Sequence, residues 1–228
     1  MANTAVALDR DLLAADFHLH SRASDGSDPP RRVMERAKAA GLRAVALTDH
    51  DTVAGLEEAA GEAKRLGLEF ICGIELSTME EGRIVHILGH FIDPAARRLL
   101  EWISPFGRIR KGRMDRILEK LGGLGVTVDP ADFYGAYGEG NIGRGHLGAY
   151  LLERGMVRTR EEAFRLYLGE EAPAYVALDA LRPGEGVELI GSAGGTATFA
   201  HPLLSGADEI IPALVSAGLA GIEVNHPS

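Results

Sequence analysis

Asp16-Phe17-His18-Leu19-His20, followed closely by Ser24-Asp25-Gly26, is the most informative stretch of this chain. Residues 14–20 read as a β-strand. Side chains on a strand repeat every two residues, so Asp16, His18 and His20 are expected on one face. Neutral imidazoles beside carboxylates are ligands that a divalent transition metal accepts. Matching pieces recur downstream: Thr48-Asp49-His50-Asp51, Gly73-Ile74-Glu75, Val85-His86-Ile87 and Ala200-His201-Pro202. Each lies at or near the end of a predicted strand. Burying several imidazoles and carboxylates together is costly unless something pairs them, and a metal does so. The pattern points to a metal-dependent hydrolase, with phosphate esters as the substrate class.

The surrounding segments alternate between strand and helix. Pro29-Pro30 opens a helix that Gly41 stops. A short strand over 44–47 leads into a helix over 53–66, stopped by Gly67. Strands follow over 68–74 and 83–92. After Asp93-Pro94 the pattern turns helical and richly charged as far as Tyr175, with Asp129-Pro130 and a Thr159/Glu162 capping box as helix starts. Alternation then resumes: a helix over 184–192, a strand over 196–200, a helix over 207–217 and a strand over 220–224. Such alternation, with polar residues at the carboxyl ends of strands, predicts a parallel α/β barrel or open sheet. The expected division is a metal-binding barrel from 1–93 and 176–228, interrupted by a helical insertion over 94–175.

The 228 residues suffice for one core with room for that insertion. A formal net charge of −9 argues against non-specific nucleic-acid binding by the whole surface, though not against a local cationic pocket. Cys72 is the single cysteine, which excludes a disulfide framework and a thiolate zinc site; a buried structural thiol is expected. No signal peptide or membrane-spanning stretch is read, so a cytoplasmic location is expected, with no membrane partner. A P-loop and a strand-following Gly-x-Gly-x-x-Gly are both absent.

Taken together, these motifs resemble the PHP (polymerase and histidinol phosphatase) family of metal-dependent phosphoesterases. The order and spacing carry the resemblance from residue 16 to residue 202. The insertion, with Ile142-Gly143-Arg144-Gly145-His146, is similar to the branch that contains nucleotide phosphatases and a 5′→3′ exoribonuclease. The resemblance implies a distorted (β/α)7 barrel with two to three divalent ions (Mn, Zn or Fe). It implies that His18, His20 and Glu75 hold one ion, that Glu75 bridges to a second held by His86 and His201, and that Asp25 and His50 hold a third. The expected reaction is hydrolysis through a metal-bound hydroxide. The expected substrate is a nucleoside phosphate, a 3′,5′-bisphosphate or the 5′ end of a short RNA.

The family pattern ends with a downstream Asp-x-His on a last strand, which this sequence lacks; Glu223-Val224-Asn225-His226 has the wrong order and position. A chain shortened by its C-terminal strand is therefore expected. Asp49 and Asp51 flank His50 and either orient ligands from behind or cap their loop; Asp16 is a similar candidate toward His18 or His20. His90 shares a strand face with His86 and reads as a solvated strand-end residue. Arg108, Arg110, Lys111, Arg113 and Arg116 form a basic run, read as a solvated helical face or as a surface that guides phosphate. Arg144 and His146 are the candidates for substrate binding, since arginine can grip phosphate at two points. Gly138, Gly140, Gly143 and Gly145 suggest a mobile loop. Two rivals stand beside this reading: a C–N bond hydrolase on a related barrel, and an inactive module that binds nucleotide or protein, for which the missing Asp-x-His is the support.

Overall fold

Short β-branched and small-residue runs make the strands of the fold. The computed structural model describes residues 15–138 and 142–224. Ala15–Leu19 (β1), Ala44–Leu47 (β2), Glu69–Glu80 (β3), Arg83–His90 (β4), Thr196–Phe199 (β5) and Gly221–Ile222 (β6) form one sheet in sequential order. It is a curled half-barrel of six strands in a mixed α/β fold. Pro30–Ala39 (α1) and Leu56–Leu66 (α2) cover it, each started or stopped as its sequence dictates. Pro30 sits in the first turn of α1, and Gly67 closes α2 in the left-handed conformation at φ 66°.

The sheet is mixed, which corrects the expectation of a parallel one. β1, β2 and β3 are parallel, β4 is antiparallel to both β3 and β5, and β5 and β6 are parallel. The reason is local. β3 does not stop at Glu75 but runs on to Glu80, then turns at Glu81-Gly82, both at positive φ, straight back into β4. A direct hairpin leaves no crossover and forces antiparallel pairing. This hairpin pairs Ser77 with His86 and Gly73 with His90, so it fixes His86 relative to Glu75. Gly73 has no substitute here: a Cβ would lie 2.6 Å from Thr48 Cγ2 and 2.9 Å from the Leu47 carbonyl oxygen.

Between β4 and the next helix of the half-barrel come Arg97–Ile103 (α3), Phe106–Gly123 (α4), Pro130–Tyr137 (α5), Arg144–Glu153 (α6) and Arg160–Ala163 (α7), the last continuing into a π-turn over 164–168. Asp129 caps α5, its Oδ1 accepting from the Ala131 amide at 2.8 Å, and Thr159 caps α7 by accepting from Glu162 N–H. Pro183–Ser192 (α8), Pro202–Ser205 (α9) and Ile211–Ser216 (α10) complete the described helices. Two separate cores result. One gathers sheet residues such as Val45, Ile74, Ile87 and Phe199 with Met34, Ile190 and Leu99 of α3. The other, from Met114 to Ala174, gathers Ile117, Leu121, Phe133, Leu147 and Leu151. Among the described residues no helix is long and apolar enough to cross a membrane.

Candidate metal centre and phosphate pocket

Glu75 stands within β3, 1 % exposed, and five imidazoles converge on its carboxylate. Oε2 lies 3.0 Å from His18 Nε2, 3.0 Å from His20 Nε2 and 3.3 Å from His50 Nδ1. Oε1 lies 3.1 Å from His86 Nδ1 and 3.1 Å from His201 Nε2. The elements that deliver these rings are the end of β1, the loop after β2, the middle of β4 and the turn after β5. Asp25 approaches from the loop after β1, 3.4 Å from His20 Nδ1 and 3.7 Å from His50 Nε2. All seven residues read from the sequence as metal ligands therefore meet in one place.

This donor set fits divalent ions. A carboxylate offers about four lone-pair positions, fewer than the five nitrogens that crowd it. Burial, with His86 and His20 adding to it, disfavours a charge on His50. The ligand atoms that lie within 4.8 Å of one another form two groups, His18–Glu75–His201 and His20–His50–Glu75, with Glu75 common to both. In this grouping His18 stands with His201, and not with His20.

The electrostatics follow from this crowding. For His18, burial opposes protonation, but the hydrogen bonds and charges of Glu75 and Glu223 outweigh it and raise the pKa to about 9. His20 is raised too, against the pull of burial, by Glu75 and Asp25. His50 falls to about 3 because burial dominates, with His86 and His20 adding to it against Glu75. Burial works to raise Glu75, yet the surrounding histidines hold it well below the ordinary range. Asp25 is likewise held low by His50, His20 and His146 against burial.

Supporting contacts fix the ligands. Asp49, 1 % exposed, accepts from Ser21 N–H at 2.7 Å, Ser21 Oγ at 2.7 Å and Ser24 Oγ at 2.6 Å, so it anchors the loop that carries Asp25. Ser24 Oγ in turn lies 3.4 Å from His20 Nδ1. Asp51, at φ 52°, accepts from Ser77 N–H at 2.7 Å and pairs with Arg110 of α4. Asp16 instead accepts from the His18 backbone amide at 3.1 Å, and a register shift between Asp16 and Leu19 breaks the strict alternation expected of β1. His90 turns away to the Phe17 carbonyl, 2.8 Å from it.

Sequence reasoning passed over Glu223, which follows β6. Its Oε1 lies 3.0 Å from His18 Nδ1, and its Oε2 accepts from the His201 amide at 2.8 Å. His201 is held there at φ 30°, a strained left-handed position. One carboxylate thus holds two candidate ligands that come from strands far apart in the sheet. The only signal available was its place just after a strand; His226 lies outside the described residues.

Beside the histidines opens a cavity of about 160 Å³, lined by Asp25, His50 and His86 on the metal side and by Arg110, Arg113 and Arg144 from the helices. The basic run is split by helical periodicity: Arg110 and Arg113 are buried, Arg108 and Arg116 exposed. Arg144 donates to the Leu168 carbonyl at 2.8 Å and lies over the rings of Tyr175 and Phe164. Its pKa and that of His146 are lowered, chiefly by burial. His146 Nδ1 accepts from Gly143 N–H at 3.0 Å, and its ring also bonds the Ser24 backbone, so it ties α6 to the Asp25 loop.

The PHP domain family matches residues 16–134. A 5′-3′ exoribonuclease of Haemophilus influenzae is 38 % identical over 188 residues, covering 82 % of this chain and 68 % of its own. A 3′,5′-nucleoside bisphosphate phosphatase of Chromobacterium violaceum is 36 % identical over 195 residues, covering 82 % and 66 %. This chain thus spans about two thirds of the length of these relatives. A solved Chromobacterium violaceum structure, described as an amidohydrolase with bound sulfate and no metal, superposes with a TM-score of 0.85 at 34 % identity, covering 92 % of this chain and 76 % of that one. Family match, relatives and ligand geometry agree, and the chain belongs to the PHP domain family.

Proposed function

We propose that this protein is a metal-dependent phosphoesterase that hydrolyses phosphate esters of nucleotides. The substrate would be a nucleoside phosphate, a 3′,5′-bisphosphate or the 5′ end of a short RNA. The observation that carries this reading is the juxtaposition of five imidazoles on buried Glu75 with an arginine-lined cavity. Two to three ions (Mn, Zn or Fe) are the cofactors the donor set suits. His18, His20, Asp25, His50, Glu75, His86 and His201 would hold them, with Glu223 and Asp49 fixing ligand orientation from behind. Bound there, divalent ions supply activation of water and neutralisation of phosphoryl charge.

The chain's own residues do the rest. Glu75 gathers the imidazoles, with Oε2 facing His18, His20 and His50 and Oε1 facing His86 and His201. Arg144 presents its remaining guanidinium edge to the phosphate, and His146 keeps Asp25 in register with His50. Segment 94–175 is proposed as a helical insertion with its own core from α4 onward, placing Arg110, Arg113 and Arg144 over the metal centre. A C–N hydrolase reading gains nothing from the geometry. Among the described residues no lysine lines the cavity, and Glu75 would take the bridging position.

Phosphate release from nucleoside monophosphates, 3′,5′-bisphosphates and a 5′-phosphorylated oligoribonucleotide, with added Mn²⁺, tests the reading. Release from at least one substrate is expected, and it should vanish in His18→Ala and Glu75→Ala together with bound metal measured by elemental analysis. Unchanged turnover in both variants would refute the site. Wild-type protein that binds two or three ions yet releases nothing would favour the inactive binding module.

A further inference from the structure

Asp25 is the least supported of the seven candidate ligands. Its side chain is 44 % exposed, against 22 % or less for the other six. Its oxygens stand 3.4 Å from His20 Nδ1 and 3.7 Å from His50 Nε2, beyond the usual hydrogen-bond length. The loop that carries it is closed by Arg22 N–H, which donates to the Asp28 carbonyl at 2.8 Å. Two side chains from elsewhere brace this loop. Asp49 holds it through Ser21 and Ser24, and the ring of His146 holds it through the Ser24 backbone.

The bonds of His146 fix what its ring can do. Nδ1 accepts from Gly143 N–H at 3.0 Å, so that nitrogen carries no proton. Nε2 is then the N–H of a neutral imidazole, and the Ser24 carbonyl is the backbone group that can accept from it. Both ring nitrogens are thus used inside the protein, and neither is left for an anion in the cavity. The Tyr137 ring of α5 packs against the imidazole, centroid to centroid 5.4 Å. Arg144 stands two residues earlier in the same first turn of α6 and lines the cavity that Asp25 and His50 also line. One ring therefore ties the arginine-bearing turn to the loop of the weakest candidate ligand.

We propose that His146 is a positioning residue, not an anion contact, and that it couples the two sides of the site. An oxyanion bound at Arg144 holds the first turn of α6 in place and, through His146, seats Asp25 for an ion on the His20–His50–Glu75 group. That ion in turn favours the oxyanion, since coupling at equilibrium is reciprocal. Direct attraction between an anion and cations acts on every ion held, whereas the His146 strut acts through Asp25. The inference rests on the reading of Asp25 and His50 as ligands and not on hydrolysis.

Calorimetric titration of the full chain with Mn²⁺, with and without saturating sulfate, measures this coupling without turnover. In wild type, sulfate should tighten at least one Mn²⁺ site about fivefold or more, the lower end of ordinary coupling. His146→Phe keeps a ring against Tyr137 and removes both bonds; there the gain should fall to about twofold or less, with another site keeping its affinity. His146→Gln can accept from Gly143 N–H and donate to Ser24, and should recover most of the gain. An undiminished gain in His146→Phe, an equal loss at every site, no recovery in His146→Gln, or no response of wild type to sulfate would overturn the proposal. Nitrogen NMR of the wild-type ring needs no variant: one bare and one protonated nitrogen should persist when sulfate binds. A second protonated nitrogen would make His146 an anion contact and overturn the strut. Thermal melting reports whether His146→Phe folds; if it does not, His146→Gln and the ring spectra decide. Wild type that binds no Mn²⁺ would defeat the ligand reading together with the coupling. Wild type that shows the coupling but releases no phosphate would defeat the phosphoesterase reading alone.

Discussion

At the scale of single residues, Glu75 and Glu223 favour a proton on His18. His18 has a folded pKa near 9, above the value of about 6.5 for an unfolded histidine. Its protonation therefore stabilises the metal-free fold fully below about pH 6.5, and that contribution is lost as pH rises through about 9. Metal must displace the same proton, so metal affinity should strengthen across this interval and binding should release protons. Calorimetry in buffers of different ionisation enthalpy counts them. Glu223→Gln should release fewer and bind metal about 10- to 100-fold more weakly, the usual effect of removing a carboxylate behind a ligating histidine. Equal affinity and equal proton release in the variant would show that Glu223 is a bystander.

At the scale of elements, the candidate ligand residues were legible from residue type and spacing, whether they lie near strand ends and in short loops or, like Glu75 and His86, inside strands. The direction of β4 was not. Gly82 is a turn signal in residues 75–83, but a lone glycine does not tell a tight hairpin from a longer connection, and the positive-φ turn at Glu81-Gly82 shows which it is. Glu223 was illegible for a different reason: its partners are His18 and the His201 amide, and no local pattern encodes a contact across the sheet. The basic run was legible in kind but not in role, since periodicity along α4 decides which arginines enter the cavity. The loop after β1 offers a sharp test of element geometry. A Cβ on Gly26 would lie 2.5 Å from the His20 carbonyl oxygen and 2.8 Å from Ser21 Cα, both backbone atoms. Gly26→Ala should therefore destabilise the fold by about 1–3 kcal/mol, the range for forced overpacking. It should also weaken metal binding by displacing Asp25. Denaturant titration measures the first effect and metal titration the second; a variant as stable as wild type would mean that the loop relaxes freely.

At the scale of the whole molecule, two cores are joined at their polar border by the Asp51–Arg110 pair, whose side chains are 0 % and 9 % exposed. Breaking a buried pair from one side leaves an uncompensated charge, so Arg110→Met should cost about 3–5 kcal/mol in chemical denaturation. A loss below about 1 kcal/mol, the value of an exposed pair, would show that the helices dock without it. The contact between His18 and Glu223 joins positions 205 residues apart in sequence. Closing such long loops carries an entropic cost and belongs to the slow part of folding. The centre is consequently a late product of chain assembly: β1 leaves the ribosome well before β6, and His18 acquires its orienting partner only after β6 has been synthesised and docked. Ions held by these residues would therefore be captured in full only once β6 has docked, so metal occupancy would serve as a report on completed folding.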